Sequence, residues 1–142
     1  MGITSYIVDA QIPDAAATWV RSHIATQWLF LLTLNGLLLV VGSVVEIYAA
    51  IIVLAPLVVP IAAAFGVNPI HLGIIFLANL EAGFLMPPMG LNLFLSSSRF
   101  SKPLTSVTRY AFPFLLIMVL AVLLITYVPD LSLGLLKATG RL

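Results

Sequence analysis

Gly83-Phe84-Leu85-Met86-Pro87-Pro88-Met89-Gly90 closes an apolar run over residues 70–85, and residues 91–95 are apolar again. Two adjacent prolines remove two backbone donors and push the residues before them out of the α region. A helix cannot run through this octet, yet the chain goes on as if still inside an apolar medium. The stretch predicts a discontinuous helix with halves over 70–85 and 89–98 and an unwound joint between them. In a bilayer such backbone is tolerated only where protein or a wet cavity covers it.

Composition sets that medium. Of 142 residues 62% are apolar and 8% are charged, the formal net charge is +1, and the mean hydropathy is +1.20. Soluble domains are about 45–50% apolar and about 25% charged. This excludes a soluble enzyme, a nucleic-acid binder with a basic patch and a disordered chain, and predicts an all-α membrane protein. Each span takes about 20 apolar residues, so four or five membrane segments fit. Cysteine is absent, so thiol chemistry and thiolate metal sites are too.

Upstream of the joint, Gly66-Val67-Asn68-Pro69 reads as a turn. Before it stand two apolar runs, 28–45 and 47–65, the second carrying Pro56 and Pro60, with only Glu46 between them. Antiparallel spans normally need a longer polar turn. Residues 28–65 are therefore expected to form a helical hairpin, either as two full spans or as a re-entrant hairpin with its tip in the membrane. Residues 1–27 hold Asp9, Asp14, Arg21 and His23 and suggest an interfacial N-terminal segment anchored by Trp19. The late first apolar run and the lack of early Lys or Arg argue against a signal peptide.

Downstream, residues 99–109 carry Arg99, Lys102 and Arg109, three of the six basic residues, and no acid. They are expected as a basic loop on the cytoplasmic side, with 66–69 and both termini opposite. Residues 110–142 read as a last transmembrane helix with Pro113 in its first turn, ended by Pro129 and Asp130, and a short tail with Lys137 and Arg141. Tyr110 and Tyr127 would lie about 26 Å apart along that helix, the spacing of two aromatic belts.

A broken helix points carbonyls from one half and amides from the other into the membrane, and such joints can hold small anions and cations. Gly83 and Gly90 permit close backbone approach, while Asn79 and Asn92 offer side-chain oxygens suited to a hard cation such as Na⁺. Glu46, following Gly42 and Ser43, is a carboxylate at the hairpin tip. It either coordinates a cation or holds the tip by accepting backbone N–H bonds. Glu81 either joins the site or pairs with a basic residue elsewhere in a larger assembly. His71 is expected as a helix cap or a solvated residue, and Ser96, Ser97 and Ser98 as the wet end of the second half-helix. No nucleophile–base pair, metal spacing or phosphate cradle is visible, so no enzyme and no resident cofactor are expected.

The run from Pro60 through Gly66-Val67-Asn68-Pro69-Ile70-His71-Leu72-Gly73, followed by Asn79-Leu80-Glu81-Ala82-Gly83-Phe84-Leu85-Met86-Pro87-Pro88-Met89-Gly90-Leu91-Asn92-Leu93-Phe94, resembles the C-terminal part of the large membrane subunit of tripartite ATP-independent periplasmic (TRAP) transporters. The similarity continues through Lys102-Pro103-Leu104 and Pro113-Phe114-Leu115-Leu116, and reaches back to Gly42…Glu46 and Ile12-Pro13. It implies one half of an inverted-repeat, elevator-type transporter in the cell inner membrane. It also implies Na⁺ as coupling ion and organic acids such as C4-dicarboxylates as substrates. The implied partners are a periplasmic solute-binding protein, a small membrane subunit, the missing N-terminal half of the permease and the lipid bilayer, with no nucleic acid. The cation- or substrate-binding residues expected from the motifs are Gly42, Ser43, Glu46, Asn79, Gly83, Met86, Pro87, Gly90 and Asn92. The family commonly has Thr where Met86 stands, and a thioether is a poor Na⁺ ligand. Family members are longer and contain both repeats. The chain is accordingly expected to be a fragment, one piece of a split permease, or a truncated, non-transporting membrane remnant or assembly module.

Overall fold

A computed structural model describes residues 26–87 and 90–140, together with Thr18, Val20, Ser22 and Ile24. The expected interfacial segment at 1–27, with Trp19, thus falls mostly outside the described residues. Every regular element among the described residues is helical.

Local chemistry accounts for the helix boundaries. Helix α1, Gln27–Val44, starts where the Thr26 hydroxyl accepts the Leu29 amide. Helix α2, Ile47–Ala64, is separated from α1 by two residues and is capped by the Glu46 carboxylate. Pro56 and Pro60 lie inside α2, so the carbonyls of Ile52 and Pro56 lose their helical donors. Gly66 adopts a left-handed φ of 74° in the turn that follows. Helix α3, Pro69–Gly83, has Asn68 as its cap, accepting the Ile70 amide at 2.9 Å, and Pro69 in its first turn, where no donor is lost.

After the joint comes α4, Leu91–Phe100, then α5, Leu104–Tyr127, and α6, Pro129–Ala138. Three helices, α1, α2 and α5, are long and apolar enough to cross a membrane, and α3 is a shorter apolar helix. Large apolar side chains such as Ile52, Val53, Phe114 and Ile117 point outward. That inverted surface suits lipid, and the chain is an all-α membrane protein.

Helix α3 is central and packs on α1, α2, α5 and α6. Its Leu72, Ile75, Phe76 and Leu80 meet Leu34 and Leu38 of α1 in the main apolar cluster. The rings of Phe30 and Phe65 stack with centroids 4.6 Å apart, so α1 and α2 run antiparallel as a hairpin with open ends together. Between the arms lies an apolar cavity of about 440 Å³. Trp28 stacks on Tyr127 at 5.0 Å and its carbonyl accepts the Tyr127 hydroxyl, tying the base of α1 to the end of α5.

Two expectations require correction. Residues 99–109 are not a loop: α4 runs to Phe100 and α5 starts at Leu104, leaving only 101–103 non-helical. The polar Ser/Thr/Arg run contains no helix breaker except Pro103, and Pro103 itself opens α5 as its N-cap. Pro113 therefore lies in the third turn of α5, not the first. The short tail expected after Pro129 is mostly a helix. Proline is favourable in a first helical turn, so Pro129 both ends α5 and opens α6. Within α6 the hydrogen bond from Lys137 at 2.5 Å holds the exposed Asp130 carboxyl below the usual carboxylate range.

Candidate functional site at the hairpin tip and the helix break

The hairpin tip sits on the break between α3 and α4. A Cβ added to Gly83 would lie 2.6 Å from the carbonyl carbon of Gly42 and 2.7 Å from its Cα. A Cβ on Gly42 would lie 3.0 Å from the Cα and carbonyl oxygen of Leu80. The two backbones are in direct contact there, which only glycine at both positions permits.

At the joint the last turn of α3 tightens: the Leu85 amide donates to Ala82 and the Met86 amide to Gly83, three residues back. The Gly90 amide then donates to the Met86 carbonyl at 3.0 Å, and the Asn92 amide to the Phe84 carbonyl at 3.3 Å. The two ends of the break thus bond to each other, and each of these carbonyls keeps a second lone pair. Gly90 is required by this closure, because a Cβ there would lie 2.5 Å from the Phe84 oxygen and 2.8 Å from the Met86 oxygen. Pro87 is exposed in the turn and Met86 is half-buried; Pro88 and Met89 lie outside the described residues.

A cavity of about 210 Å³ opens between tip and break, lined by Gly42, Ser43, Glu46, Phe84 and Leu91 among others. Ser43 is buried, with its hydroxyl donating to Val40 at 2.7 Å. Glu46 accepts the Tyr48 and Ala49 amides at 3.1 and 3.3 Å, both on Oε2. That is the tip-holding role, and among the described residues Oε1 has no hydrogen-bond partner. Asn92 is half-buried in the first turn of α4. Glu81 faces outward on α3 and makes no ion pair among the described residues.

Asn79 does not join this cavity. It lies one turn before Gly83, fully buried, where its Nδ2 donates to Asn35 Oδ1 of α1 and to the Ile75 carbonyl. Asn35 Oδ1 also lies within hydrogen-bond distance, 3.1 Å, of the Thr126 hydroxyl of α5. His71 is buried as well, not solvated, with Nε2 donating to the Thr126 carbonyl at 3.1 Å. Asn35, His71, Asn79 and Thr126 therefore form a polar node inside the apolar core, joining α1, α3 and α5. The signal for Asn35 is an amide in the middle of an 18-residue uncharged helix, where each polar group needs a partner. The Thr126 contact, 91 residues distant in sequence, leaves no such local signal.

Comparison with known proteins places these features in a wider set. The family model described as "Tripartite ATP-independent periplasmic transporter, DctM component" matches residues 2–131. The chain is 44% identical over 88% of its length to the C4-dicarboxylate TRAP transporter large permease protein DctM of Pseudomonas aeruginosa, covering 29% of that protein. It is 36% identical over 91% of its length to the protein of the same name from Rhodobacter capsulatus, again covering 29%. It is 32% identical over 94% of its length to the sialic acid TRAP transporter large permease protein SiaM of Vibrio cholerae, covering 32%. The chain thus spans less than a third of the length of these relatives. Their names are those of permeases, not of enzymes.

Proposed function

This chain belongs to the family of the DctM component of tripartite ATP-independent periplasmic transporters, and from that membership we propose that it forms the C-terminal portion of a TRAP large permease. In this reading the hairpin α1–α2 and the broken helix α3–α4 are one half of an inverted-repeat, elevator-type core. The core drives Na⁺-coupled uptake of organic acids across the inner membrane. Among the relatives are proteins named for C4-dicarboxylates, sialic acid and isethionate. The common chemistry is a small organic anion, and C4-dicarboxylates are the favoured class because the two relatives with the highest identity compared above carry that name. A periplasmic solute-binding protein delivers the substrate, and a small membrane subunit and the rest of the permease complete the assembly. Arg99, Lys102 and Arg109 put the α4–α5 turn on the cytoplasmic side.

The observation that carries this reading is the contact of a hairpin tip with a helix break at Gly42 and Gly83. The cavity there offers oxygens suited to Na⁺: the second lone pair of Phe84, the Ser43 hydroxyl and Glu46 Oε1. Expressed with the rest of a cognate permease, its small subunit and its binding protein, the chain should give labelled succinate uptake that requires Na⁺. Absence of uptake with every component inserted and assembled overturns the proposal. In that assay Met86→Thr supplies a hydroxyl ligand and should preserve or raise the Na⁺ dependence.

Glu46 separates capping from cation binding. Glu46→Ala removes the α2 cap and should cost about 1 kcal/mol of stability. Glu46→Gln keeps an acceptor for the Tyr48 and Ala49 amides and should recover most of that loss in a thermal unfolding assay. If Glu46→Gln unfolds like wild type but takes up succinate with a weaker response to Na⁺, the carboxylate contributes charge to the cation site.

A further inference from the structure

Arg99, Lys102 and Arg109 surround the turn between α4 and α5, and no carboxylate occurs anywhere from Ala82 to Pro129. Below that turn a groove of about 750 Å³ runs between the two helices, lined by Ser96, Phe100, Lys102, Ser106, Tyr110 and Phe114, among others. It is separate from the tip-and-break cavity, whose lining residues it does not share.

The groove has two chemical ends. At the turn, Lys102 is set in place by its own backbone: its amide donates to the Ser97 carbonyl at 3.1 Å, and the Ser97 hydroxyl donates back to its carbonyl at 2.6 Å. Ser101 adopts a left-handed φ of 49° to close this turn. Ser106 lines the groove in the first turn of α5 and Tyr110 one turn further along. One turn deeper, Phe114 extends the wall toward the apolar outer face of α5. Phe100, Tyr110 and Phe114 are 71%, 77% and 66% exposed, too apolar for water at a membrane boundary unless something covers them.

We propose that this groove binds an anionic glycerophospholipid. Its phosphodiester sits at Lys102 with the Ser106 and Tyr110 hydroxyls as further donors, and an acyl chain lies along Phe100 and Phe114. Basic pockets between membrane helices favour anionic headgroups in this way. A free inorganic anion would use the basic end and leave the aromatic wall uncovered. An apolar partner helix would leave an unpaired ammonium group at its edge. A phospholipid satisfies both ends.

Native mass spectrometry of the full chain extracted from membranes, alone or with its permease partners, tests this with phosphatidylglycerol and phosphatidylcholine carrying identical acyl chains. Phosphatidylglycerol should bind more tightly. Lys102→Gln should weaken it about fivefold, the value of one basic group at an anionic surface. Ser106→Trp should block the groove while leaving every charge in place. The pair Arg99→Gln and Arg109→Gln, outside the groove lining, should weaken binding less than Lys102→Gln alone. Equal affinity for the two lipids, unchanged binding with Ser106→Trp, or a larger loss from the two arginines overturns the proposal. So does a photo-crosslinker at Tyr110 that captures a protein segment rather than lipid in the assembled permease.

Discussion

Gly83→Ala is expected to lift the hairpin tip off the helix break and to abolish uptake. The added methyl would sit 2.6 Å from the Gly42 carbonyl carbon and 3.0 Å from the Ser43 amide nitrogen. These are backbone atoms of another helix, so no rotamer change relieves the clash. Added methylene groups in packed cores cost about 1–3 kcal/mol when side chains adjust. Here α1 itself must shift, and about 3 kcal/mol is expected, with Gly83→Val costing more. Gly42→Ala should act in the same direction but more mildly, because its Cβ contacts start at 3.0 Å. Gly36→Ala and Gly73→Ala are the controls. They lie within α1 and α3 with no heavy atom within 4 Å of the added Cβ, and alanine gains about 1 kcal/mol over glycine in a helix interior. Thermal unfolding in detergent compares all of them. A melting temperature for Gly83→Ala equal to that of Gly73→Ala would show that the tip does not rest on the break.

The features legible in the sequence are those fixed by residues within a turn of one another. Pro87-Pro88 marks the break because proline acts on its own and the preceding residue. Glu46 marks the hairpin tip because it interrupts two apolar runs alone. Its capping role is met by a contact only two and three residues away. Local chemistry also misleads where one residue has two uses: Pro129 stops one helix and starts another, and the polar 99–109 stretch is helical outside 101–103 because polarity does not break a helix. Asn79 is the more instructive case. It lies close to the break along the chain, four residues from Gly83 and on the same helical face. That face, however, packs on α1, where Asn35, two turns before Gly42, meets Asn79 one turn short of Gly83. Which face of α3 turns toward which helix is a property of packing between elements far apart in sequence, and no spacing rule within 69–83 contains it.

That node is where the second large effect is expected. Asn35 Oδ1 lies within reach of donors on two other helices, Asn79 Nδ2 and the Thr126 hydroxyl, and Asn35, Asn79 and Thr126 each also reach a carbonyl of their own helix, Leu31, Ile75 and Val122. Removal of Asn35 therefore detaches α1 from both α3 and α5 at the node, leaving only the His71–Thr126 bond between those two helices, and strips one acceptor from Asn79, whose buried Oδ1 already lacks a partner. Removal of Asn79 leaves the Asn35–Thr126 pair intact. A buried polar group deprived of its partner costs about 1–3 kcal/mol, while hydrogen bonds between membrane helices average nearer 0.6 kcal/mol. Asn35→Ala should thus cost about 2 kcal/mol and Asn79→Ala about 1 kcal/mol. The double variant should fall short of their sum by about 1 kcal/mol, since neighbours within one network are not additive. Simple additivity in the unfolding free energies would mean that the Asn35–Asn79 contact carries no energy. The consequence for transport follows from position. The node, with the Trp28–Tyr127 stack at the open end of the hairpin, fixes α1 to α3 and α5. At the tip the close backbone contact runs from Gly42 to Leu80 and Gly83, and an apolar cavity lies between α2 and α1. Hairpin motion is therefore expected at the tip and α2, with α1 below Asn35 held still. Asn35→Ala should loosen that anchor, lowering stability and uptake together, whereas Glu46→Gln should leave the anchor intact.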